Sequence, residues 1–166
     1  MKAIQIPHRG GAFELVERPI PVPTADQVLL RVEACGVCHG ENVAIRGHWP
    51  GVEYPRIPGH EIIGTIETLG QNVRGFSVGE RVGIGWSAGC RDLVTGLTFD
   101  GGYAEYAVAH AAGLVAIPSG MSAEQAAPLM CAGVTTFTAL RHSIAKMGDL
   151  VAISGIGGLG HLAVQY

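Results

Sequence analysis

Three stretches far apart in the chain must meet in space to do the chemistry their side chains suit. They are Gly36-Val37-Cys38-His39, Pro58-Gly59-His60-Glu61 and Pro128-Leu129-Met130-Cys131. Two thiolates and one imidazole form the ligand set of a zinc ion that keeps its fourth position open for water or substrate. A structural zinc site usually draws its ligands from tight local pairs. Ligands at positions 38, 60 and 131 instead require a fold that gathers distant loops. The spacing points to a catalytic metal.

With 166 residues, the chain holds one domain, or one domain and the start of another. A chain of this size buries roughly 70% of its unfolded surface and needs no covalent staple. Its formal net charge is −3 and its lysines and arginines are scattered, which argues against nucleic acid and acidic membranes as partners. Cysteines at 35, 38, 90 and 131, with no signal peptide and no bilayer-spanning apolar run, fit reduced thiols and a cytoplasmic location.

Up to about residue 117 the pattern is strand after short strand. Ala3 to Ile6, Phe13 to Glu17, Val28 to Ala34, Ile62 to Leu69, Arg81 to Ile84, Tyr103 to Val108 and Gly113 to Ile117 are read as strands, broken by Pro118-Ser119-Gly120. The spacing predicts a partly closed β-barrel-like domain over 1–121. Ser122 with Gln125 forms a capping-box helix start. Connecting helices are expected over 122–148, hinged near Cys131 to Gly133, with Gly148 as a C-terminal stop. Asp149 to Ser154 reads as a short buried strand, and His161 to Tyr166 as the first turns of a helix that stops without a cap. The expectation is therefore a truncated unit over 149–166.

Gly155, Gly157 and Gly160 fit the G-x-G-x-x-G pattern between that strand and that helix. The glycines permit a tight turn, close approach of a pyrophosphate, and close helix–strand packing. Gly158 and Leu159 complete the loop, whose backbone N–H groups at the helix start suit an anion. The acidic residue that would distinguish NAD from NADP is expected beyond residue 166, so that choice is open. Cys35 and Cys38 form a C-x-x-C, but without a second close pair Cys35 reads as a core thiol. Glu41 is either a carboxylate holding a metal-bound imidazole or a solvated surface acid. His8, His48, His110, His142 and His161 have no partner visible in the sequence and read as surface or loop residues.

Taken together, these residues resemble the zinc-containing medium-chain alcohol dehydrogenases. Further matching phrases are Gly47-His48-Trp49-Pro50, Val78-Gly79-Glu80-Arg81-Val82-Gly83, Asp100-Gly101-Gly102-Tyr103-Ala104-Glu105-Tyr106 and Cys131-Ala132-Gly133-Val134-Thr135-Thr136. The resemblance implies a mixed α/β fold: a GroES-like catalytic domain followed by the first β-α unit of a Rossmann fold. It also implies one catalytic zinc on Cys38, His60 and Cys131, with Glu61 as an occasional fourth ligand. By the same resemblance Glu41 orients the zinc histidine, His39 lies against the cofactor phosphate and Thr135 against the nicotinamide. Trp49 and Trp86 would help line the alcohol pocket. The implied reaction is hydride transfer between a simple alcohol or aldehyde and NAD or NADP. Members of the family are homo-oligomers, and the dimer strand is missing from this sequence.

The sequence departs from the family at three points. Gly40 stands where a Thr or Ser commonly relays a proton. The structural-zinc lobe of four close cysteines is replaced by Trp86 to Gly96 with Cys90 alone, so no structural zinc is expected. About half of a family member is absent. The first expectation is a zinc-dependent alcohol dehydrogenase, here as an N-terminal fragment. A zinc-free quinone-reductase-like relative is opposed by the intact ligand set. The alternative of another class is a non-catalytic truncated remnant that binds at most one zinc.

Overall fold

The computed structural model describes residues 1–89 and 93–166. Cys90, on which the expectation about the deleted lobe turns, lies outside the described residues.

The aliphatic and β-branched runs form strands close to where the sequence places them. Strand β1 (Lys2–Gln5) pairs antiparallel with β2 (Glu14–Glu17) in a two-stranded sheet. The second sheet contains β3 (Gln27–Cys35), β4 (Ile62–Leu69), β5 (Arg81–Ile84), β6 (Tyr106–His110) and β7 (Val115–Ala116). Its order is β6-β3-β4-β5-β7, and every pairing is antiparallel. Among the described residues the sheets do not close into a barrel: β6 and β7 remain edges, and β1 runs beside Tyr103 to Glu105, just before β6, through an Ala3–Ala104 bridge and backbone bonds of Ile4 and Lys2. β6 starts later than the sequence suggests, and the run 113–117 divides into a 3₁₀ turn (Ala111–Gly113) and the short β7.

Three apolar clusters hold the domain together. Val28, Leu30, Ile62, Ile66, Val82 and Ile84 fill the main sheet core, all at most 1% exposed. Fully burying one such side chain contributes about 1.5–3 kcal/mol. A second cluster packs Ile6, Ala44, Val94 and Leu97 against Trp49 and Trp86. The third joins Ile63 on β4 to Ala123, Ala126 and Ala127.

That third cluster seats the connecting helices. Helix α1 (Glu41–Arg46) follows the Cys38 turn, and α2 (Ala123–Ala126) starts on the expected capping box of Ser122 and Gln125. A 3₁₀ turn, Ala127–Met130, leads to Cys131, whose φ of −127° and ψ of −74° break the helix before α3 (Ala132–Arg141). The expected hinge is present.

Two local expectations are corrected. Helix α3 ends at Arg141 rather than at Gly148: the Ser143 hydroxyl donates to Leu140 O and accepts from Ala145 N–H, competing for helical backbone partners. Asp149 to Ser154 forms no strand, and Leu150 is 99% exposed. No other strand pairs with this segment, and an unpaired strand leaves its backbone groups without partners. The glycine loop packs on itself rather than against a strand. A Cβ on Gly160 would lie 1.8 Å from Gly155 O, so the third glycine is required where α4 (Gly160–Ala163) begins.

Candidate metal centre

Cys38 lies in the turn before α1, His60 in the loop before β4, and Cys131 at the break before α3. Each location has a local cause. Asp100 Oδ1 accepts from Ile57 N–H at 3.0 Å and from Arg56 Nη1 at 3.0 Å. Gly101, Gly102 and Tyr103 donate backbone N–H groups to Ile57, Gly59 and Pro58 carbonyls. Gly59 takes a φ of +100°, and a Cβ there would come 2.6 Å from the Tyr103 ring. The loop carrying His60 is thus fastened along its length.

The expected ligands converge. One ligand atom from each of Cys38, His60, Glu61 and Cys131 lies within 4.8 Å of all the others. The two cysteine sulfurs are 3.9 Å apart. Two sulfurs each about 2.3 Å from a tetrahedral zinc would be about 3.8 Å apart. His60 is 1% exposed, and its Nε2 is buried without a hydrogen-bond partner among the described residues. A buried nitrogen left unpaired is costly, and a cation at the cluster would satisfy it. Two sulfurs, one imidazole nitrogen and a carboxylate suit zinc.

Glu41 is not a surface acid. It is 5% exposed, its Oε1 lies 2.7 Å from His60 Nδ1, and its Oε2 accepts from Gly59 N–H at 3.1 Å. The Oε1 contact is close but off the line of a well-aligned bond, and Oε1 has no aligned donor. Trp86 meets the imidazole edge-on, with ring centroids 4.9 Å apart at 85°. A Cβ on Gly40 would approach His60 Cε1 to 3.1 Å. The ring is confined by these neighbours, with Nε2 left free of any partner among the described residues.

Burial raises the Glu61 carboxyl above its ordinary range, opposed by His60. Burial first, and then Cys38, push the Cys131 thiol up to about 12. A metal taken up here must therefore displace a proton from Cys131. Burial likewise pushes Cys35 to about 12, and its sulfur packs against Gly59 and Gly102. Cys35 is not in the cluster. Its thiol is expected to stay unmodified in the folded chain under iodoacetamide that alkylates it fully in denaturant, as read by peptide mass mapping.

Of the remaining expected residues, Trp86 and Thr135 line one cavity and His39 another. The first, of about 550 Å³, is lined by Trp86, Leu129, Met130, Cys131, Val134 and Thr135 among others. The other, of about 530 Å³, lies on the Cys38 side with Phe13, Val37, His39, Asn42 and Tyr103. Trp49 lines neither cavity and meets Trp86 edge to face, with centroids 5.8 Å apart at 82°. The loop containing Gly155, Gly157, Gly158 and Leu159 also lines neither. His8, His48, His142 and His161 are exposed, and His110 is half-buried.

Sequence reasoning named Gly36 only as part of the Cys38 phrase and missed Gly85. A Cβ on Gly36 would fall 1.9 Å from Glu61 Oε2, and one on Gly85 would fall 2.2 Å from Met130 O. Both sit next to residues already singled out, which was the available signal.

Residues 24–119 match the family described as "Alcohol dehydrogenase GroES-like domain". An alcohol dehydrogenase of Geobacillus stearothermophilus is 44% identical over 183 aligned residues, covering 100% of this chain and 54% of its own length. A solved CAD from Helicobacter pylori complexed with NADP(H) has a TM-score of 0.86 at 28% identity, over 99% of this chain and 55% of that one. A solved quinone oxidoreductase from Pseudomonas syringae has a TM-score of 0.84 at 32% identity, over 99% and 48%. The chain spans about half the length of these relatives. With the ordered motifs, the matched fold and these likenesses in agreement, the chain belongs to the alcohol dehydrogenase family, and its residues 24–119 correspond to that family's GroES-like domain.

Proposed function

We propose that this chain carries the catalytic metal site of a zinc-dependent alcohol dehydrogenase that moves hydride between a simple alcohol or aldehyde and NAD or NADP. The observation behind this reading is the convergence of Cys38, His60 and Cys131 around a buried His60 Nε2 that has no partner among the described residues. Zinc held there would act as a Lewis acid on the alcohol oxygen, while hydride chemistry belongs to the nicotinamide. Glu41 fixes the His60 ring, and Glu61 stands within reach as a further ligand. Trp86 and Met130 supply an apolar wall beside Cys131, with Thr135 on the same side for the nicotinamide. His39, in the second cavity, is assigned to the cofactor phosphate. Gly40 offers no hydroxyl, so proton release uses a route other than that side chain.

The domain reading is 1–121 catalytic, 122–148 connecting and 149–166 the opening of the dinucleotide-binding unit. Among the described residues no helix is long and apolar enough to cross a membrane. Free thiols at Cys35, Cys38 and Cys131 suit a reducing compartment, so we place the protein in the cytoplasm. The test is alcohol-dependent reduction of NAD(P)⁺ before and after chelation. Loss on chelation and recovery with zinc support the reading. Activity that survives thorough chelation favours a quinone-reductase-like chemistry instead.

The exposed, unpaired segment 149–159 favours a second reading for these 166 residues alone: a zinc-binding unit that does not hold the dinucleotide. A dinucleotide binds across a sheet crevice at the strand ends, and among the described residues the glycine loop adjoins no sheet strand. Calorimetric titration with NADH or NADPH is expected to show no saturable binding at micromolar ligand. A micromolar Kd would contradict this second reading.

A further inference from the structure

Gly85-Trp86, just after β5, approaches two of the three ligand-bearing regions. A Cβ on Gly85 would stand 2.2 Å from the Met130 carbonyl oxygen, so the two backbones pass close together immediately before Cys131. The Trp86 indole meets the His60 ring. Gly85 has no side chain with which to hold its own position. What holds the segment is Thr95, which is 1% exposed. Its Oγ1 donates to Gly85 O at 2.8 Å, and its backbone N–H donates to Trp86 O at 3.1 Å. Thr95 is itself anchored by its neighbours: Val94 and Leu97 are 3% and 2% exposed in the cluster with Ile6 and Ala44, and Ser87 bridges Val94.

We propose that Thr95 is a positioning residue for the Cys38–His60–Cys131 cluster: its hydroxyl clamps Gly85 O, which sets Met130 and Cys131 relative to His60. The proposal rests on the metal-site reading above. Thr95 touches no ligand atom itself. It lies in the stretch between β5 and β6, nine residues after Trp86 in the sequence. Valine has nearly the shape of threonine without the hydroxyl, so Thr95→Val isolates the hydrogen bond, and Thr95→Ser keeps it.

The experiment uses the 166-residue chain with Co²⁺ as the metal probe. Thr95→Val is expected to weaken cobalt binding by about tenfold, the low end of the roughly 10–100-fold seen when outer hydrogen bonds to a metal site are removed. It should also lower the thiolate-to-cobalt absorption per bound cobalt at saturation, which a mere loss of stability would not change. Thr95→Ser should stay within about twofold of the native chain.

A metal-free arm uses diamide, which takes two electrons and two protons from the cysteine pair. The sulfurs of Cys38 and Cys131, 3.9 Å apart, should form a disulfide more slowly in Thr95→Val than in the native chain. Native-like cobalt binding, absorption and cross-linking in Thr95→Val would overturn the proposal. So would Thr95→Ser behaving like Thr95→Val. A native chain that takes up no cobalt would instead refute the metal-site reading, and the cross-linking rates alone would then decide the role of Thr95.

Discussion

His60→Ala is expected to yield a chain that retains no zinc through dialysis and unfolds at lower urea. Two effects add. The imidazole is a direct ligand candidate, so its loss should weaken metal binding by more than the roughly 10–100-fold that removing an outer partner costs. It also leaves Glu41, 5% exposed, with only the Gly59 N–H for its carboxylate. Leaving one member of a buried pair without its partner costs on the order of 3–5 kcal/mol. Elemental analysis and a urea midpoint read the two effects separately. Glu41→Gln keeps an acceptor near His60 and should cost less on both counts. His48→Ala, at an exposed residue, is the control and should change neither. A His60→Ala chain that still carries stoichiometric zinc would remove His60 from the ligand set.

Gly85→Ala should be among the most damaging single-methyl substitutions near the site. The added Cβ would stand 2.2 Å from Met130 O and 3.2 Å from Met130 C, both backbone atoms that cannot rotate away. Overpacking of this kind costs about 1–3 kcal/mol. Because Thr95 Oγ1 holds Gly85 O from the other side, much of the shift falls on Met130 and therefore on Cys131. Metal affinity should drop by at least about tenfold, the scale of a disturbed outer shell. Gly36→Ala makes an instructive contrast. Its clash, at 1.9 Å, is with Glu61 Oε2, the end of a side chain, so Glu61 can swing aside and stability should fall less. Gly120→Ala meets nothing within 4 Å and should be neutral within about 0.5 kcal/mol. Equal losses in all three variants would show that the contacts at Gly85 have no special weight.

Much of this site was legible because its chemistry is carried by residue types with few other uses in that combination. Cys38, His60 and Cys131 declared a metal site by identity and spacing, and the structure brings them together. Glu41 could not be decided from sequence, since a glutamate at a helix start is usually solvated. The turn of the chain that buries it against His60 is a tertiary fact. Thr95 was invisible for the same reason: its role depends on Val94 and Leu97 being drawn into the core beside Trp86. Strands were legible wherever a partner exists. Asp149 to Ser154 carries a strand-like apolar run, yet a strand needs a neighbour to pair with, and local pattern does not supply one. Helix α3 stopped early because Ser143 bonds to its own preceding turn, a competition that apolar spacing does not register.

The most direct test of the metal centre is zinc per chain, measured by elemental mass spectrometry on dialysed, monodisperse protein. One zinc per chain is the expected result, and it should be lost in Cys38→Ser and Cys131→Ser. Two tightly held zinc ions would contradict the expectation of a single catalytic site. No zinc at all would contradict the central claim that Cys38, His60 and Cys131 form a metal centre in this chain.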